Sequence, residues 1–168
     1  MIRFAKAIST LAAAIVALLI IALPSVAVEQ KTQTTKQPSR QIIADKKPHR
    51  LVLQVNANDA AVMNLALNNA TNVAQFYKDL GEKINIEIVT FGPGLHMLRN
   101  DTSPVKTRIA SLALSTPAIS FKACGNTRDN MRKTEDKDIP LLSEATVVKS
   151  GVVHVMELQE QGWTYVKP

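Results

Sequence analysis

The stretch "HRLVLQVNANDAAVMNLALNNATNVAQFYKDLGEKINIEIVTFG", residues 49–92, changes its hydrophobic period twice. "HRLVLQV" is a short run rich in leucine and β-branched residues, which is strand character, and "NAND" supplies turn and helix-capping residues. From Asp59 the period becomes helical: Val62, Met63, Ala66, Leu67, Ala70, Val73, Ala74 and Tyr77 recur near 3.6 residues, and Gly81 stands where a helix ends. "INIEIVTFG", residues 84–92, alternates and then runs continuously apolar, which predicts a second strand. A strand, a helix of more than ten residues and a second strand make a βαβ unit, whose crossover forces parallel pairing.

The pattern repeats downstream. "GPG" at 92–94 breaks the second strand and "LHMLRN" reads as a short helical turn. "SPVKTRIASLALS" places Pro104 at a first helical position, with Val105, Ile109, Leu112 and Ala113 on one face. "AISFKAC" (118–124) is a third strand, followed by the polar helix or loop "GNTRDNMRKTED". "ATVVKSG" contains a fourth strand, "VVHVMELQEQG" a helix capped by Gly162, and "WTYVK" a fifth strand. The expectation is a three-layer α/β domain over residues 49–168, with a mainly parallel five-stranded sheet and helices on both faces.

The residues before it have a different composition. Arg3 and Lys6, the apolar run "LAAAIVALLIIAL" and the small-residue end "PSVA" form the three-part pattern of a secretory signal peptide over residues 1–27. The alternative, an uncleaved membrane anchor, needs about 20 apolar residues. Cleavage after Ala27 is the reading the length favours, and it implies a periplasmic protein with no membrane span in the mature chain. Residues 28–48 read as a polar flexible linker. These two segments carry all but one unit of the formal +6 charge, so the domain has no basic surface that implies nucleic acid.

Ligands of open parallel sheets collect beyond the carboxyl ends of the strands. That rule groups Asn58 and Asp59, the segment containing Gly92, Gly94 and His96, and the segment Cys124, Gly125, Asn126 and Thr127. Cys124 is the single cysteine of the chain. At a helix start its thiolate is favoured, and the thiolate is the nucleophile. The bland alternative is a buried cysteine serving as a small hydrophobe. In an oxidising compartment a lone cysteine is shielded, joined to another chain, or used. A fully buried sulfur with no channel would count against the last two.

"FGPGLHML" could cradle an anion, but it lacks both the GxxxxGK[ST] lysine and the full GxGxxG fingerprint. His96 is a candidate acid or base near Cys124. His49 and His154 have no second ligand at metal spacing, so neither a metal nor a cofactor is implied. Asn69 and Asn72 read as a solvated helix face. The excess apolar residues Val152, Val153, Val155, Met156 and Leu158 imply burial in a homo-oligomer.

Four segments carry a family resemblance: "ALNNATN" (66–72), "IEIVTFGPGLHML" (86–98), "ISFKACGNT" (119–127) and "VVKSGVVHVMELQEQGWTYVKP" (147–168). Together they resemble the DsrE/DsrF-like family, which includes small sulfur-relay proteins and a YchN-like hexameric relative. They are most similar to its exported branch. The resemblance implies a flavodoxin-like α/β fold, assembly into trimers or hexamers, and a cysteine that carries a persulfide between a sulfur donor and an acceptor protein. Cys124 matches that cysteine. The relay members are cytoplasmic, whereas this chain carries an export signal, and "GNTRDN" departs from their pattern after the cysteine. Two other functions fit the residues: a non-catalytic oligomeric module that binds a small ligand or a protein, and a redox tether through an intermolecular disulfide.

Overall fold

The computed structural model describes residues 47–168; the expected signal peptide, its anchor alternative and all of the linker before Lys47 lie outside the described residues. The elements are β1 (His49–Val55), α1 (Ala60–Asp79), β2 (Ile84–Thr90), a 3₁₀-helix (Gly92–Leu98), α2 (Lys106–Ser115), β3 (Ile119–Cys124), α3 (Gly125–Glu135), β4 (Ala145–Val148), α4 (Gly151–Glu160) and β5 (Thr164–Val166). The strands form one sheet in the order β4-β3-β2-β1-β5, and every neighbouring pair is parallel. This is a flavodoxin-like three-layer α/β fold.

The strand order decides which face each helix covers. From β1 through β4 every step moves one place in the same direction, so right-handed crossovers put α1, the 3₁₀-helix, α2 and α3 on one face. The return from β4 to β5 crosses the whole sheet in the opposite sense, which puts α4 alone on the other face.

The packing follows this division. On the first face Leu53, Ile86, Ile88 and Phe121 pack with Met63 and Leu67 of α1 and Ile109 of α2. Each such side chain contributes about 1.5–3 kcal/mol by leaving water. On the second face Val52 and Val89 lie with Val155 and Leu158 of α4, flanked by Phe91, Trp163 and Tyr165, so these two α4 residues belong to the core and not to the excess expected at an oligomer surface. Strands covered on both sides read as near-continuous apolar runs, which is why "LVL" and "IVT" do not alternate cleanly.

Helix ends were legible in sequence. Gly81 and Gly162 take left-handed φ values of +68° and +82°. Each closes a Schellman motif, with Glu82 N–H donating to the Tyr77 carbonyl at 2.9 Å and Trp163 N–H to the Leu158 carbonyl at 2.9 Å.

Two boundaries differ from expectation. β2 stops at Thr90, and "GPG" is the first turn of the 3₁₀-helix rather than a break before it. α2 starts at Lys106 because the Ser103 hydroxyl donates to the Met97 carbonyl at 2.6 Å and accepts from Val105 N–H, holding Pro104 in a turn. The polar "GNTRDNMRKTE" is a helix, although none of its residues is buried. Its carboxyl end is held by Arg99, only 1% exposed, whose guanidinium donates to Asp101 at 2.9 and 2.8 Å and to Glu135 at 2.9 Å.

Candidate functional site

The chain leaves β3 toward the first face as α3, and leaves β4 toward the second face as α4. A crevice opens beyond neighbouring strands whose connections diverge in this way, and such a switch point is where open α/β sheets hold ligands. Cys124, the last residue of β3, stands in register with Val148, the last residue of β4. Since Ile119, Phe121 and Ala123 face the first layer, Cys124 turns toward α4.

The sulfur lies at the start of two helices. Cys124 is the N-cap of α3, with Sγ accepting the Thr127 N–H at 3.4 Å in place of the usual side-chain oxygen. Gly151, first residue of α4, packs on the same residue: a β-carbon there would stand 3.1 Å from Cys124 Cβ. The Asn126 N–H donates to the Lys149 carbonyl at 3.1 Å. Burial pushes the Cys124 thiol up, but the Thr127 hydroxyl and then the N–H groups of Gly151, Thr127 and Asn126 outweigh it and hold the thiol below its ordinary value.

The thiol is also covered. Cys124 is 4% exposed. Gly151 lies against it so closely that a β-carbon there would stand 2.9 Å from the Phe91 ring. Gly125 keeps α3 close to β4, since its β-carbon would meet the Val148 carbonyl at 3.1 Å.

The expected residues separate into two groups. Gly92 joins the cysteine turn: it takes a φ of +53°, and its N–H donates to Thr127 Oγ1 at 3.0 Å. Gly94 supports this arrangement from behind, where a β-carbon would stand 2.2 Å from the Val55 carbonyl oxygen. With Gly94 N–H bonded to the Phe91 carbonyl, the N–H groups of both glycines are engaged within the chain. His96 bonds Thr102 through Nδ1 at 2.8 Å rather than the thiol. Asp59 caps α1, accepting from Ala61 N–H at 2.7 Å and from Val62 N–H at 3.4 Å.

Gly151 and Phe91 were missed as site residues. "KSG" before an apolar helix was a usable sign of a tight helix start, but nothing in it points to Cys124. Also on the α4 face, Glu87 pairs with His154 at 2.7 Å and with Lys122 at 3.9 Å. His154 borders a cavity of about 490 Å³ shared with Asn126, Lys149 and Ser150. At the opposite end of the sheet, Asn69 and Asn72 line an apolar groove of about 600 Å³ with Phe76, Leu51 and Val166. Among the described residues, no helix is long and apolar enough to cross a membrane.

No protein-family model matches the chain, and no curated protein matches it. Among solved structures it is similar to a protein of unknown function, MTH1491, from Methanobacterium thermoautotrophicum. The two are 30% identical, the match covers 71% of this chain and 99% of that one, and the TM-score is 0.59.

Proposed function

The chain belongs to the same family as the Methanobacterium thermoautotrophicum protein, and from that premise we propose that it carries sulfane sulfur on Cys124 as an exported, DsrE/DsrF-like component of a sulfur relay. The observation that supports this reading is one sulfur at a switch point that accepts the Thr127 N–H of the α3 start at 3.4 Å and has the Gly151 start of α4 packed on it. Such donors stabilise an anion, whether a thiolate or the persulfide that replaces it.

In the loading step the Cys124 thiolate attacks the outer sulfur of a donor persulfide or polysulfide. The donor's S–S bond breaks, its electron pair leaves with the donor thiolate, and a Cys124–S–S⁻ persulfide forms. Handover to an acceptor thiolate reverses these events, so no external oxidant or proton source is needed. Covering by Gly151 shelters the loaded sulfur between transfers. Mass spectrometry after polysulfide treatment should show mass added in steps of one sulfur atom, absent in Cys124→Ala. No adduct under conditions that load a control carrier would overturn the proposal.

A second reading, a non-catalytic oligomeric binding module, draws on the 4% exposure of Cys124 and on Val152, Val153 and Met156 of α4, which are 53%, 46% and 54% exposed. An unmodified thiol in protein from its native compartment would favour it. A trimer or hexamer would cover the α4 patch under either reading. The tether has less support, because an intermolecular disulfide needs two sulfurs about 2 Å apart and Gly151 covers this one. Export is tested by N-terminal sequencing of the mature protein, which should begin at Val28.

A further inference from the structure

On the α1 face the sheet is left uncovered at β5, and the topology says why. A right-handed crossover helix lies over the strands it joins, so α1 covers β1 and β2 and no helix on that face reaches β5. The register sets Thr164 beside Leu51 and Val166 beside Leu53, so these two β5 side chains point to the α1 face, while Tyr165 points to the α4 face and donates to Gln54 at 2.7 Å. Between β5 and α1 lies the groove of about 600 Å³, floored by Leu51 and Leu53 and walled by Val73 and Phe76. Phe76 and Val166 are 59% and 39% exposed. The side-chain amides of Asn69 and Asn72 line it without a hydrogen-bond partner among the described residues.

We propose that this groove is the docking site of the chain's own residues 41–44, with the side chains of Ile42 and Ile43 seated in it. Residues 29–48 are otherwise polar, and Ile42 and Ile43 are their only large apolar side chains. The chain also enters the domain at the groove. His49, which lines it, stacks on Tyr77 with ring centroids 4.0 Å apart, and its N–H donates to the Lys83 carbonyl at 2.9 Å. The six Cα steps from Ile43 to His49 reach at most about 20 Å, and β1 from His49 to Leu53 rises about 13 Å, so the segment is long enough to turn back along the groove. Asp45 and Pro48 are residue types that favour such a turn.

Tethering favours this occupant over others. A segment joined by so short a connection is present at an effective concentration of roughly millimolar, which a free peptide or ligand must exceed. A second copy on a two-fold axis through the groove would set one concavity against another, which is not self-complementary. An extended segment also brings backbone N–H and carbonyl groups to the Asn69 and Asn72 amides, and it shields the open edge of β5 from pairing with another sheet. The docking is independent of any role for Cys124.

The test is disulfide trapping in the mature chain, with Cys124→Ala removing the native thiol and Ile42→Cys paired with Asn72→Cys. Oxidation should give an intramolecular cross-link, seen as a faster-running monomer on non-reducing gels. Adding Ile43→Asp should slow it about tenfold or more, whereas Ile43→Val should not, because the tether alone gives the same collisions in both. In the chain without cysteine substitutions, the Ile43 δ-methyl should show nuclear Overhauser contacts to Leu51 or Val166 methyls, lost in Phe76→Asp. This second measurement decides the matter if a cysteine variant does not fold. Dimers linked through these cysteines would overturn the proposal in favour of a second copy's segment. A cross-link indifferent to Ile43→Asp, or no methyl contacts in wild type, would overturn it and leave the groove to a small ligand or another protein.

Discussion

Gly151 opens α4 directly over Cys124: a β-carbon placed on Gly151 would lie 3.1 Å from the cysteine Cβ and 2.9 Å from Phe91 Cδ1. Both distances are closer than ordinary contact, so Gly151→Ala must push the helix start away from the thiol. The expected cost is about 1–3 kcal/mol of stability from overpacking. The thiol pKa should rise as the Gly151 N–H leaves the sulfur. Urea unfolding and thiolate titration check the two effects; a variant with wild-type values in both would show that α4 does not hold the thiol.

The depressed thiol pKa also links to stability. A group whose folded pKa is lowered stabilises the fold above its unfolded value and loses that contribution as pH falls through the folded one. Relative to Cys124→Ala, wild type should therefore gain stability as pH rises toward about 8.5, the usual thiol range, and level off beyond it. Chemical unfolding of both proteins across this range checks the sign.

Acid should unfold the domain partly through Arg99. Its hydrogen bonds and charge hold Asp101 well below the carboxylate range and Glu135 down to about 2. Their contribution is complete above the unfolded carboxyl values of about 4 and is lost as pH falls from there through about 2. Stability against pH should slope in that window with uptake of up to about two protons on unfolding. In Arg99→Met the slope should flatten.

Asp59→Ala separates a cap from a ligand. Loss of the carboxylate that accepts from Ala61 and Val62 N–H should cost about 0.5–2 kcal/mol. Thiol pKa and sulfur loading should not change. A loading defect at unchanged stability would return Asp59 to the site.

If the α4 patch is an interface, Val152→Asp with Met156→Glu should lower the mass measured by sedimentation. Wild type should sediment as a trimer or hexamer. A monomeric wild type would remove the oligomer from both functional readings.

Much of this was readable in one dimension because it is local. The 3.6-residue repeat from Val62 to Tyr77 marks α1, and Gly81 and Gly162 end their helices with the left-handed geometry glycine tolerates. The placement of Cys124 at a strand end before a helix start also held. The roles of Gly92, Gly94, His96 and Asp59 were less legible. Which N–H or carboxylate is free for a ligand depends on partners such as Thr127, Phe91, Thr102 and Ala61, and only some of these are neighbours in sequence.

The sequence by itself determined the α/β class, the order of its elements and the lone thiol at the end of β3, since hydrophobic period and helix punctuation act over a few residues. Only the tertiary structure decided that a second helix start reaches that thiol. β5 joins the sheet beside β1, at the far edge from β4, and a right-handed crossover from β4 to that edge carries α4 to the opposite face. That one long-range pairing sets Gly151 over Cys124 and makes the crevice between β3 and β4 a switch point.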